Sequence, residues 1–109
     1  MSNLSLQGKT AIITGGAGGL GRAMVAKYAQ AGANVVIASR TKQKIEDEAA
    51  STRDNGYNAI AIPVDVTEEE QVTALIEQTV DAYGSVDVIV NNAGRWGRRS
   101  VGVGLGVSV

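Results

Sequence analysis

Apolar positions along this chain follow two alternating rhythms, one short and continuous, the other with helical spacing. Thr10–Thr14 (TAIIT) is a short β-branched run that ends in glycines and reads as a buried strand. Residues 20–31 then carry Met24, Val25, Tyr28 and Ala29 at helical spacing, and Gly32 stops that helix. Asn34–Ser39 (NVVIAS) has no polar alternation, which predicts a second strand with both faces covered. Residues 41–55 are polar apart from a thin stripe at Ile45 and Ala49, the mark of a surface helix ending near Gly56. Residues 59–64 form a third strand, and Pro63 marks a sheet edge or a strand end. Thr67 is the expected N-cap of a third helix, with Glu68, Glu69 and Glu70 opposing its dipole. Val72, Leu75, Ile76, Thr79, Val80 and Tyr83 keep one helical face, and Gly84 closes it. Residues 86–90 are a fourth strand leading into Asn91-Asn92-Ala93-Gly94.

Strands alternating with helices imply an α/β fold with a parallel sheet covered by helices. Four strands and three helices form most of a doubly wound sheet, in expected order 3-2-1-4. Residues 1–94 are read as one unit. Residues 95–109 (RWGRRSVGVGLGVSV) change character, with valine or leucine alternating with glycine or serine. Neither a helix nor a cap fits this tail. It is expected to be disordered or poorly packed, with a makeshift strand as the alternative and a truncated, mis-spliced or frameshifted reading frame as its origin.

Composition narrows the chemistry. At 109 residues the chain fits one small domain. With 44% hydrophobic and 19% charged residues it reads as globular. The net charge of −1 favours neither nucleic acid nor an anionic membrane. Arg95, Arg98 and Arg99 make a local basic cluster that reads as a solvated segment rather than a nucleic-acid contact. With no cysteine there is no thiolate ligand or thiol nucleophile, and with no histidine a general base must be Asp, Glu, Lys or Tyr. No apolar run approaches a bilayer span and residues 1–9 lack a signal-peptide core, so a soluble, cytoplasmic protein is expected.

The informative glycines are in Thr14-Gly15-Gly16-Ala17-Gly18-Gly19-Leu20-Gly21. The run lies between a strand and a helix, the context in which a glycine motif binds dinucleotides. Gly15 allows the tight turn, Gly19 lets the backbone approach a pyrophosphate, and Gly21 lets the helix pack on the strand. The helix N-terminus then presents N–H groups and partial positive charge to the phosphates. The competing reading is a flexible loop that binds nothing.

The adenosine ribose is the next question. NAD-binding versions end the second strand with a carboxylate that hydrogen-bonds the ribose 2′-hydroxyl. Here that strand ends in Ser39-Arg40, and the nearest carboxylate in sequence is Glu46. A guanidinium suits a 2′-phosphate through paired, charge-assisted hydrogen bonds. Arg40 therefore favours NADP over NAD, against the plainer reading of a solvated arginine. Lys42 and Lys44 add to the field or belong to the helix surface.

Over about residues 4–94 the chain resembles the N-terminal half of the short-chain dehydrogenases/reductases (SDRs). That family's T-G-x-x-x-G-x-G appears as Thr14, Gly15, Gly19, Leu20 and Gly21. Its acidic residue after the third strand appears as Asp65, followed by Val66, and its N-N-A-G as Asn91, Asn92, Ala93 and Gly94. The resemblance implies a Rossmann-type fold and a nicotinamide dinucleotide as partner. It implies that Asp65 bonds the adenine amino group, that Val66 packs on the ring, and that Asn92, Ala93 and Gly94 pass under the adenosine ribose. Asn91 would be a structural amide. A plain helix cap for Asp65 and an ordinary turn for the N-N-A-G run stand as alternatives.

Family members move a hydride between the nicotinamide and an alcohol or carbonyl using serine, tyrosine and lysine, the last two spaced Y-x-x-x-K. None of Tyr28, Tyr57 and Tyr83 has a lysine four residues later. The expectation is thus an NADP-dependent oxidoreductase by resemblance, present here as a cofactor-binding portion without its catalytic residues. The alternatives are a non-catalytic dinucleotide-binding fragment and a non-binding remnant that self-associates through an exposed fourth strand.

Overall fold

The computed structural model describes residues 5–15 and 19–91. The element order is β1 (Thr10–Thr14), α1 (Gly19–Gln30), β2 (Asn34–Ser39), α2 (Lys42–Asp54), β3 (Ala59–Pro63), α3 (Glu69–Tyr83) and β4 (Val88–Asn91). The strands are parallel and ordered β3-β2-β1-β4, as the alternating pattern requires. Asn92, Ala93 and Gly94 and the tail 95–109 lie outside the described residues, so the expectations placed on them stay as stated.

The continuous apolar runs of β1 and β2 are buried along both faces, from Ala11 to Ile13 and from Val35 to Ala38. Alternation by strand sends Ala11, Ile13, Val35, Ile37 and Val90 to one core layer, closed by Val25 and Ala29 of α1 and by Ile45 and Ala49 of α2. Ile12, Val36, Ala38, Ile62 and Ile89 enter the opposite layer beneath Leu75 of α3. Thr52 extends the stripe of α2 at i+3 from Ala49, buried with its hydroxyl donating to the Glu48 carbonyl at 2.9 Å. The edge position of β3 accounts for exposed Pro63, which has no N–H to leave unpaired.

Three expectations are corrected. The third helix begins at Glu69, with Glu68 at the N-cap position making no side-chain cap bond, and Thr67 does not cap it. Instead, the Thr67 N–H and hydroxyl both donate to Asp65 Oδ1, at 3.0 and 2.6 Å. A carboxylate is the stronger acceptor, and it draws Thr67 into its own turn. Val80, expected on the buried face of α3, is 43% exposed, because Leu75 and Thr79 already fill the contact with the sheet. The fourth strand begins at Val88 rather than residue 86, because the Asp87 carboxylate accepts the Thr10 N–H at the start of β1 and the Ser85 hydroxyl beside it, in place of regular ladder bonds.

Candidate functional site

Because the strands are parallel, their C-terminal ends lie on one margin of the sheet, where open α/β sheets bind ligands. Thr14 ends β1, Ser39 ends β2, Asp65 follows the end of β3 by two residues, and Asn91 ends β4. The structure thus gathers Thr14, Gly15, Gly19, Leu20, Gly21, Ser39, Arg40, Asp65 and Val66 at one margin.

The turn after β1 is held from both sides. The Gly15 N–H donates to the Ala38 carbonyl of β2 at 2.8 Å, and Gly15 has φ +69°, a left-handed conformation that favours glycine. Thr14 is fully buried, and its hydroxyl lies 3.2 Å from Asn91 Oδ1 and 3.3 Å from the Val90 carbonyl. These bonds anchor the turn to β2 and β4 together.

Glycine at 19 is not demanded by the fold. Its φ lies outside the left-handed region, and a Cβ built there would meet no atom of the described residues within 4 Å. The room that it leaves opens at the first turn of α1, where the leading N–H groups have no partner within the helix. Gly21, by contrast, is buried. No acidic residue stands in the first turn of α1, whereas Glu69 and Glu70 stand in that of α3. An anion is accordingly favoured at α1. Leu20 is 68% exposed at the head of α1.

At the end of β2, Ser39 Oγ accepts the Thr41 N–H at 3.0 Å and fixes the turn from which exposed Arg40 projects. Asp65 sits across from it after β3. The two bonds from Thr67 hold its carboxyl below the usual carboxylate range, and the Arg40 guanidinium adds to the effect. Arg40 and Asp65 thus share one electrostatic neighbourhood, although they are 25 residues apart. The Asp65 N–H donates to Gln71 Oε1 at 2.8 Å, so Gln71 steadies this loop. No sequence signal singles out Gln71, since its role depends on where α3 packs. Val66 is half-buried and leans on the core layer under α3.

Among the described residues no group of histidine, cysteine, aspartate and glutamate could hold a metal, and no helix is long and apolar enough to cross a membrane.

Residues 9–103 match the family model of the short chain dehydrogenases. The short chain dehydrogenase/reductase dpchG of Colletotrichum higginsianum is 44% identical over 92 residues, which are 84% of this chain and 34% of that protein. An uncharacterized oxidoreductase of Bacillus subtilis, YxbG, is 40% identical over 89 residues, 82% of this chain and 33% of its own. The chain thus spans about a third of the length of these curated relatives. Among solved structures, a short chain dehydrogenase from Mycobacterium smegmatis superposes with a TM-score of 0.77 at 37% identity. It covers 83% of this chain and 38% of its own. A hydroxysteroid dehydrogenase from Escherichia coli gives a TM-score of 0.78 at 34% identity, over the same shares.

Proposed function

The chain belongs to the short-chain dehydrogenases, a family of oxidoreductases that bind NAD or NADP, and on that footing we propose that these 109 residues form an NADP-binding unit. The observation that carries the reading is the open space beside Gly19 at the head of α1. The described residues give no reason for glycine there, and a pyrophosphate backed by the helix N–H groups does.

The preference for NADP rests on the end of β2. Arg40 is exposed on the ligand margin, and no carboxylate occupies the place from which a 2′-hydroxyl would be read. Its guanidinium meets a 2′-phosphate with two N–H groups, and Ser39 fixes the turn that presents it. Asp65 keeps its charge at neutral pH and offers an acceptor to the adenine amino group, with Val66 beside the ring. Asn92, Ala93 and Gly94 are assigned to the adenosine ribose. In the bound cofactor the nicotinamide donates or accepts a hydride. None of Tyr28, Tyr57 and Tyr83 stands four residues before a lysine, so we assign no residue of this chain to the proton transfer that accompanies it.

Titration with NADPH and NADH, followed through the single Trp96, tests the reading. Saturable binding with NADPH the tighter ligand is expected, without turnover of a panel of alcohols with NADP at 340 nm. Absence of saturable binding would leave a non-binding, self-associating chain as the better description, and measurable turnover would overturn the assignment of a binding-only role.

A further inference from the structure

A carboxylate that reads a base is selective only if it cannot move to suit a different one. While ionised, its oxygens accept hydrogen bonds and never donate them. A fixed oxygen therefore suits an amino group and repels a carbonyl, whereas a loose one slides to the nearest N–H. The neighbours of Asp65 decide which case applies.

Asp65 is held at every polar atom but one. Its N–H donates to Gln71 Oε1 at 2.8 Å, and its carbonyl accepts the Glu68 N–H at 3.0 Å. Its Oδ1 accepts both the Thr67 N–H at 3.0 Å and the Thr67 hydroxyl at 2.6 Å. Among the described residues no hydrogen bond engages Oδ2. The base of the turn is fixed as well. The Val64 N–H donates to the Ser39 carbonyl at 2.9 Å, which sets the end of β3 against the end of β2.

Gln71 is the third residue of α3. A glutamine there ordinarily reaches back to the N–H of the N-cap residue. Here it reaches three residues beyond the N-cap Glu68, to Asp65. Thr67 and Gln71 are both exposed, so core packing gives no reason for these residue types. Their shared partner does.

We infer that Thr67 and Gln71 are positioning residues for base selectivity: they clamp Asp65 so that Oδ2 alone is left for the base, which admits the 6-amino group of adenine and rejects a 6-oxo purine. Both act through Asp65 and are assigned no contact with the cofactor. In a 6-oxo purine the ring N1 carries a proton, and an unclamped carboxylate would shift to meet it. The inference rests on the dinucleotide reading proposed above.

Titrations of the full chain with NADPH and with its hypoxanthine analogue (the same molecule with a 6-oxo purine), followed through Trp96, test it. The wild type is expected to bind NADPH about tenfold more tightly, the scale of one charge-assisted hydrogen bond exchanged for an unpaired acceptor. Thr67→Val deletes the hydroxyl, and Gln71→Met deletes the acceptor at similar length. Each is expected to lower the ratio of the two dissociation constants by about threefold or more. Thr67→Ser and Gln71→Glu keep the bonding atoms and are expected to hold the wild-type ratio. A merely structural role would weaken both ligands alike; that result, or an unchanged ratio in either deletion variant, would overturn the inference. So would a wild type that binds both dinucleotides equally. One check needs no ligand: the Asp65 carboxyl should titrate higher by NMR in Thr67→Val, and wild-type titration there would refute the clamp. A wild type that binds neither dinucleotide sinks the function proposed above and this inference with it, whereas NADPH binding with unmoved ratios sinks this inference alone.

Discussion

The hydroxyl of Thr14 lies 3.2 Å from Oδ1 of Asn91, so the last residues of two parallel strands are tied where the glycine turn begins. Thr14 is fully buried, and its one proton is shared with the Val90 carbonyl. Thr14→Val keeps shape and volume but deletes that proton. It is expected to lower unfolding free energy by about 1 kcal/mol in denaturant titration, the usual net value of such a bond. Weaker NADPH binding should accompany the loss if the tie positions the turn.

Arg40 is the discriminating side chain in the NADP reading. Arg40→Asp replaces a donor for the 2′-phosphate with an acceptor for the 2′-hydroxyl. The ratio of NADH to NADPH dissociation constants is expected to fall by roughly tenfold to a hundredfold, from a charge-assisted interaction of ~1.5–3 kcal/mol. An unchanged ratio would remove Arg40 from cofactor choice. The same substitution removes a cation near Asp65, so the Asp65 carboxyl should titrate higher by NMR.

Acid should act through two carboxyls. Asp65 and Asp87 both sit below their ordinary value of 3.8, Asp65 through Thr67 and Asp87 through the Thr10 N–H and the Ser85 hydroxyl, with Lys9 adding to the latter. A depressed folded value means that the stabilisation is fully present above the unfolded carboxyl range and is lost as pH falls through the folded value. Thermal melts should therefore be flat from neutral pH to about 5 and drop below 4. Asp87→Asn should flatten that acid limb and reduce stability at pH 7, since part of the neutral-pH stabilisation goes with the charge.

Two changes of similar size on paper should differ in effect. Gly84 ends α3 with φ +91°, its N–H donating to the Val80 carbonyl at 2.7 Å, so Gly84→Ala forces a side chain into a left-handed conformation. A loss of about 1 kcal/mol is expected even though the added methyl meets nothing. The Arg22–Glu48 pair joins α1 and α2 at 3.1 Å, but Arg22 is largely exposed. Arg22→Ala should change stability by no more than about 0.5 kcal/mol.

Periodicity and glycine placement alone determined the element order, the bounds of β1 and β2 and the strand order. These features are local. A continuous apolar run must be covered on both faces, and a left-handed helix end calls for glycine, wherever the element lies in the molecule. The tertiary structure decided what depends on partners distant in sequence. Thr67 reads as a helix cap until Asp65 is seen to claim both its donors. Val80 reads as core until the sheet proves to be filled by Leu75 and Thr79. Asp87 reads as one residue of the fourth strand until Thr10, 77 residues earlier, is found to depend on it. Arg40 and Asp65 become neighbours only because parallel strands bring their C-terminal ends to one margin. The helices and strands follow from spacing along the chain; which polar groups complete one another follows from how the strands are laid side by side, because a hydrogen bond needs its two atoms within about 3 Å whatever the distance between them in sequence.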